Sequence, residues 1–260
     1  MAPRTQPSGT TRTSGHGTPA ASVAADVPTA ARGANRVRRL WDRRVAAWEH
    51  HGAAGLERVI DAVVAAAGPT EGSSVVDLGC GNGQLTLPLA RSGARVLAVD
   101  ISPRMIESLE RKAAQEGLQI ETAAVPAQEL KVEPASIDLV VSNYAMHHLY
   151  DAEKRAVLVA AVTWLRPGGR LVLGDMMFGR GASKQDRAII GSKLRVMLRR
   201  GPAGWWRITK NVVRFTFRMR ERPLPLETWV QMFRSAGLLD VQGIRVVSEA
   251  AVVLGTKPDA

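Results

Sequence analysis

Val75-Val76-Asp77-Leu78-Gly79-Cys80-Gly81-Asn82-Gly83-Gln84 decides how this chain folds, and Val96-Leu97-Ala98-Val99-Asp100 completes the reading. An apolar run that closes on an acidic residue and breaks into three alternating glycines reads as a buried strand feeding a tight loop. Glycine at those places removes each Cβ, so the loop takes positive φ and a ligand approaches its N–H groups. The helix after the loop aims its dipole-positive end at the same spot. The second run comes one helix and one strand further on, and Asp100 at its end supplies a carboxylate suited to a ribose. The spacing is Gly-x-Gly-x-Gly, with Gln84 where a dinucleotide fingerprint continues toward its third glycine. No Lys-Ser/Thr pair comes next to hold phosphates, so nicotinamide and nucleoside-triphosphate readings lose ground.

At 260 residues the chain suits one α/β domain with additions and is long enough to bury a core. Cys80 is the single cysteine and lies inside the glycine loop, so no disulfide framework is available. That fits a reducing compartment, and a cytoplasmic location is the expectation. The sequence lacks an apolar run of about eighteen residues, the length a spanning helix needs, and the N-terminus lacks the compact apolar core of a signal peptide.

Residues 1–34 are rich in Pro, Thr, Ser, Gly and Ala, carry Asp26 as their single acid and are expected to be disordered. Order is expected to begin near Val37, in a helical cap over 35–70 whose two amphipathic helices run from Arg38 to Trp48 and from Leu56 to Val64. A core unit occupies 71–179, with strands expected near 74–78, 95–99, 119–124, 138–143 and 170–175. Strands that alternate with helices mean a parallel sheet. Ser102-Pro103 pairs a cap with a proline at the first helical position, and Gly117 stops that helix. A helix near 226–236 and two strands, 241–246 and 250–254, complete the core over 223–260.

Between them lies 180–222, with thirteen basic residues against Asp186 and Glu221, a net positive charge of eleven that equals the excess of the whole chain. A helix through 205–219 lines up Arg207, Lys210, Arg214 and Arg218 opposite Trp205, Ile208, Val212, Phe215 and Met219. Three readings of this segment stay open. It is a solvated basic face over an ordinary lid, a surface for an amphiphilic acceptor with an anionic head met at a membrane, or a set of phosphate contacts on nucleic acid.

Four pieces then stand in register. The glycine loop and Asp100 precede Ile137-Asp138-Leu139-Val140-Val141-Ser142-Asn143-Tyr144-Ala145-Met146-His147-His148-Leu149, and then comes Trp164-Leu165-Arg166-Pro167-Gly168-Gly169-Arg170-Leu171-Val172-Leu173. In this order the chain, over roughly residues 40 to 257, resembles the class I S-adenosylmethionine-dependent methyltransferases, and within them the small-molecule, lipid and quinone-biosynthesis group. The resemblance implies an α/β Rossmann-like sheet of seven mostly parallel strands in the order 3-2-1-4-5-7-6, with helices on both faces and a helical lid.

It also implies S-adenosylmethionine as methyl donor and a set of contacts for it. Gly79, Cys80, Gly81 and Gly83 would approach the methionyl part, with Asp77 beside its ammonium. Asp100 would take the ribose hydroxyls, Ile101 and Met105 would line the adenine, and Asn143 would offer backbone contact near the methionyl end. Many relatives carry a Gly-Asp-Ala stretch after the third strand, but here the run is Val125-Pro126-Ala127-Gln128, so adenine recognition falls to Ala127 and Gln128. Relatives often lay an N-terminal helix over the cofactor with an aromatic near the Trp48 position; Trp41 and Trp48, seven apart, equally form a core-facing stripe.

On the acceptor side Tyr144 would face the substrate, and His147 and His148 are the candidate general bases, with a structural or cofactor-side role open for both. His50 and His51 carry no spacing signal, and Asp175 is expected to face the acceptor. Asn143-Tyr144-Ala145-Met146 lacks the Asn/Asp-Pro-Pro-aromatic turn of enzymes that methylate planar amines, which argues against nucleic-base targets. No His/Cys/Asp cluster has metal-ligand spacing, so no metal is expected. The expected activity is methyl transfer to a small-molecule or lipid acceptor; an RNA-directed enzyme and a catalytically silent partner protein remain the alternatives. The sequence leaves the oligomeric state open.

Overall fold

The computed structural model describes residues 31–43, 45, 54–179, 187, 191 and 221–259. Two helices, α1 (Ala31–Asp42) and α2 (Ala54–Ala67), precede the sheet. The α1 helix opens at Ala31, inside the stretch expected to be disordered, because Ala31-Arg32-Gly33-Ala34 offers neither an apolar period nor a cap to read. Next come β1 (Ser74–Leu78), α3 (Thr86–Arg91), β2 (Arg95–Val99), α4 (Pro103–Gln115), β3 (Glu121–Ala123) and β4 (Ile137–Asn143). A one-turn 3-10 helix (Met146–His148), α5 (Asp151–Trp164), β5 (Leu165–Met176), α6 (Leu226–Ser235), β6 (Leu239–Val247) and β7 (Ala250–Thr256) complete the described chain.

The strands form one seven-stranded sheet in the order β3-β2-β1-β4-β5-β7-β6, as expected. The first five strands are parallel, while β7 runs antiparallel to β5 and to β6. Every residue of β1 is buried, which a strand covered on both faces requires. Its pleat sorts the side chains: Val75 joins Val59 and Val63 of α2, whereas Val76 and Leu78 join Trp164 of α5 and Phe233 of α6 on the other face. The Pro-Gly-Gly turn lies within the bounds of β5. Ile137 pairs with Leu165 and Leu139 with Arg170, so 166–169 bulge out of the ladder.

Local chemistry fixes the helix after β2. Ser102 caps α4 by accepting the Met105 N–H at 3.3 Å, Pro103 starts the helix, and Gly117 sits just past its end at φ +68. At Gly174 of β5 an added Cβ would meet Val63 at 2.5 Å and Asn143 Oδ1 at 2.8 Å, so glycine is what lets α2 lie directly on the sheet. The chain order reverses between β1 and β4, and the loops after these strands therefore open onto one crevice at their C-terminal ends. None of the described helices is long and apolar enough to cross a membrane. The expected helix through 205–219 and all but Arg187, Gly191, Glu221 and Arg222 of the basic segment lie outside the described residues, as do Trp48, His50 and His51.

Candidate active site

Three strand ends build the crevice. At the end of β1 the Asp77 carboxylate is buried and its Oδ2 accepts the Thr86 hydroxyl at 2.6 Å. Its Oδ1 is buried without a hydrogen-bond partner. Burial pushes the Asp77 carboxyl from 3.8 up to about 7; the Thr86 bond opposes the shift and the Asp100 charge adds to it.

The glycine loop takes positive φ at Gly79 (73°), Gly81 (53°) and Gly83 (94°). Four of its N–H groups, expected to be open to a ligand, are already engaged. Those of Gly79 and Cys80 reach the Val99 carbonyl, that of Gly83 reaches the Cys80 carbonyl, and that of Gly81 reaches Asp100 Oδ2 at 2.9 Å. These four donors serve the loop's own shape and the hold on Asp100. What the missing Cβ of Gly79 admits is Ala145, because a Cβ there would lie 2.3 Å from the Ala145 Cβ. Cys80 is buried, and the charges of Asp100 and Asp77 add to burial in pushing its thiol well up.

At the end of β2 Asp100 receives the Gly81 N–H on Oδ2 and the Ser102 N–H, at 2.8 Å, on Oδ1. Each oxygen keeps lone-pair capacity for one more donor. Burial raises its pKa, the two backbone bonds lower it, and the Asp42 charge raises it. Asp42, on the last turn of α1, accepts the Ser102 hydroxyl at 2.6 Å. No sequence signal marks this contact, which spans sixty residues. Ile101 is half-buried beside Asp100, and Met105 is buried one turn into α4. After β3 the Glu129 N–H closes a turn on the Pro126 carbonyl, with Ala127 half-buried and Gln128 exposed at its corner.

Asn82 Oδ1 in the glycine loop and Asn143 Oδ1 at the end of β4 are further buried acceptors without a partner. Tyr144 comes next at φ +50, its N–H held by the Gly174 carbonyl. Burial, with the charges of Glu249 and Asp175, pushes its phenol up to about 12, so this hydroxyl stays protonated at neutral pH. The two histidines part company. His147 is buried, with its Nδ1 2.5 Å from Asp175 Oδ1, whereas His148 is half-buried and its ring lies 3.9 Å from that of His147 and 4.8 Å from Trp41. Asp175, expected to face the acceptor, is fully buried and turned to His147, because β5 sits beside β4 and ends directly beneath the turn.

One further residue comes from the return of the basic segment. The Arg222 N–H bonds the His147 carbonyl at 2.6 Å, and its guanidinium lies over the Tyr150 ring at 3.8 Å. The buried Lys154 ammonium donates to the Arg222 carbonyl at 2.5 Å and to Asp151 at 3.0 Å. Among the described residues no group of three His, Cys, Asp or Glu side chains is placed to hold a metal ion.

A seven-stranded sheet of this order, with a glycine loop after β1 and a carboxylate held by backbone N–H groups after β2, defines the class of S-adenosylmethionine-binding α/β proteins. Residues 75–169 match the family described as a methyltransferase domain. A ubiquinone biosynthesis O-methyltransferase of Xylella fastidiosa is 31% identical over 180 residues, covering 68% of this chain and 66% of that protein. Its counterpart in Methylocella silvestris is 40% identical over 101 residues, 39% of each chain. The chain thus spans from about two-fifths to two-thirds of the length of these curated relatives. A solved 1,6-didemethyltoxoflavin-N1-methyltransferase of Burkholderia thailandensis shares the fold at TM-score 0.61 and 20% identity, over 91% of this chain and 94% of that one. Haemonchus contortus phosphoethanolamine N-methyltransferase 2 does so at 0.58 and 16%, over 77% and 52%. The chain belongs to the class I S-adenosylmethionine-dependent methyltransferases, with its sequence similarity running to the quinone-biosynthesis group.

The crevice fits the donor of that family. The buried acceptors Asp77 Oδ1 and Asn143 Oδ1 lack partners, and an amino-acid ammonium supplies donors for such atoms. Asp100 offers acceptors to a vicinal diol.

Proposed function

We propose that this protein transfers a methyl group from S-adenosylmethionine to the oxygen of a small phenolic, quinone-like acceptor. The observation that carries the reading is Asp77 Oδ1, a buried carboxylate oxygen with no partner at the mouth of the β1 loop. It asks for a cationic donor, and the ammonium of the methionyl group is one. In this reading Asp100 takes the ribose hydroxyls, Ile101 and Met105 line the adenine, and Ala127 and Gln128 meet its edge. Gly79, Cys80, Gly81 and Gly83 shape the loop beneath the methionyl part, and Asn143 completes the ammonium site.

The bound donor supplies an already activated methyl on a sulfonium, so the protein contributes alignment and exclusion of water. Tyr144, as a protonated phenol, donates to the acceptor, and the histidine pair provides a proton acceptor next to it. The names of the curated relatives support an O–H acceptor. The basic segment 180–222 supports an amphiphilic one, met at an anionic membrane surface by peripheral contact.

Calorimetric titration with S-adenosylmethionine and S-adenosylhomocysteine, on wild type and on Asp100→Ala, tests the donor site. Micromolar-range binding lost in the variant is the expected result. A folded protein that binds neither ligand overturns the enzyme reading and leaves a catalytically silent partner. Radiolabelled methyl transfer into catechols, quinone and lipid extracts, and RNA then tests the acceptor class; incorporation into RNA alone would overturn the small-molecule reading.

A further inference from the structure

The end of β5 carries a second layer to this site. Asp175 is fully buried, and among the described residues three N–H groups converge on it. The His147 backbone donates to Oδ2 at 2.8 Å, and the Met176 backbone donates to Oδ1 at 2.7 Å. The third partner is the His147 ring itself, Nδ1 to Oδ1 at 2.5 Å. If the carboxylate served only to cap the 3-10 turn, the backbone bond would suffice and any side chain would do at position 147. The ring bond does something different. A carboxylate accepts and does not donate, so Nδ1 carries a proton, and in the neutral ring the lone pair then sits on Nε2.

We propose that Asp175 is a positioning residue for methyl transfer: it holds His147 as the Nδ1–H imidazole, which makes Nε2 the acceptor of the proton leaving a phenolic O–H. The inference rests on the O-methylation reading above. As the acceptor oxygen forms its bond to the methyl carbon, the C–S bond breaks with its electron pair kept by sulfur. The O–H proton passes to Nε2, and the imidazolium so formed lies against the Asp175 charge. The other charged and titratable groups around the pair are placed for this. The His148 ring lies against one side, the Tyr144 ring is T-shaped to that of His147 at 6.3 Å between centroids, Glu249 acts on the Tyr144 phenol, and Arg222 engages the carbonyls of both histidines. Tyr144 adopts left-handed backbone next to them, a strain that recurs where geometry serves chemistry.

The test compares wild type, Asp175→Asn and His147→Gln with catechol and with 4-nitrocatechol, whose more acidic hydroxyl is ionised before it binds. In Asp175→Asn the kcat with catechol falls by about 10²–10⁴-fold, the size of a lost general base. With 4-nitrocatechol the loss shrinks to within about tenfold, while S-adenosylhomocysteine affinity and the KM for S-adenosylmethionine stay within about threefold. Equal loss on both acceptors in Asp175→Asn and in His147→Gln, or no loss on catechol, overturns the proposal, because a merely structural carboxylate cannot tell the two acceptors apart. Long-range proton–nitrogen NMR of the His147 ring gives a readout free of any acceptor: wild type shows Nδ1–H, and Asp175→Asn shows a mixture. A wild-type ring with Nε2–H overturns the pairing outright. If wild type binds S-adenosylhomocysteine but methylates neither catechol, the phenolic reading fails, and the ring spectrum still decides the Asp175–His147 pairing.

Discussion

Asp77→Asn tests the buried carboxylate at its most sensitive point, its response to pH. The Asp77 carboxyl sits at about 7 in the folded protein and at 3.8 as an ordinary side chain, so the folded state holds its proton more tightly than the unfolded one. A carboxyl raised in this way costs nothing below pH 3.8, costs progressively more as pH climbs toward 7, and carries its full penalty above that. The gap between the two values amounts to roughly 4 kcal/mol at high pH, of which about 1.5 kcal/mol is already present near pH 5. Asparagine keeps the shape and the Thr86 bond but cannot ionise. Between pH 5 and pH 8.5 the ligand-free variant should therefore gain about 3 kcal/mol on wild type, or about 6–12 °C in Tm for a chain of this size.

Thermal or urea unfolding at the two pH values reads this directly. A wild-type-to-variant difference that stays constant within about 0.5 kcal/mol across that range would contradict the raised carboxyl, since only a titrating Asp77 couples stability to pH in this way. The same group sets a binding signature. An ammonium beside Asp77 favours the ionised form, so wild-type affinity for S-adenosylhomocysteine weakens toward tenfold per pH unit as pH falls below 7 and levels off above it. Titrations in buffers of different ionisation enthalpy should show proton release below pH 7, and the variant should bind weakly at every pH.

Gly79→Ala places a Cβ 2.3 Å from Ala145 at φ +73; unfolding experiments should show a loss of more than about 2 kcal/mol, and S-adenosylhomocysteine binding should disappear with it. Lys154→Met keeps the volume of a fully buried side chain but strands the Arg222 carbonyl; the expected cost is about 1–3 kcal/mol, with faster protease cleavage near Glu221. Asp42→Ala cuts the bond from α1 to Ser102, whose N–H also holds Asp100; Trp41 fluorescence should shift, and S-adenosylhomocysteine affinity should fall severalfold.

Features that lie close together along the chain were legible in its sequence. β1 and β2 appear at their expected bounds because each is an apolar run stopped by a charge or a glycine, and the α4 boundaries come from Ser102-Pro103 and Gly117. The glycine loop and Asp100 are legible for the same reason, being two strand ends separated by one helix. The engaged N–H groups of the loop are not, since spacing says where a glycine can bend but not which carbonyl or carboxylate its amide will meet. Asp42 and Arg222 were hidden more deeply. One lies among arginines at the end of a polar helix, the other closes a run of thirteen basic residues, and neither differs from its neighbours in sequence.

Asp175 is the instructive case, because a signal for it did exist. The sheet order puts β5 next to β4, so the residue near the end of β5 must lie beside the turn that leaves β4, which is Tyr144 to His148. An acid at that place has two fates: it projects into the crevice, or it folds back onto the neighbouring turn. Sequence cannot choose, since the two differ only by a side-chain rotamer. The physical chemistry does choose. A projecting Asp175 would leave the His147 N–H and ring nitrogen unpartnered in a buried place, whereas turning back satisfies both at once. The protein takes the second course, and in doing so converts a histidine that looked interchangeable with its neighbour into one whose proton has a fixed address. The two adjacent imidazoles therefore stop being equivalent candidates: His147 is set by β5, and His148 is set by Trp41 and the N-terminal helix. Substituting them one at a time should separate these dependences, with His147→Gln tracking Asp175→Asn and His148→Gln tracking the loss of Trp41.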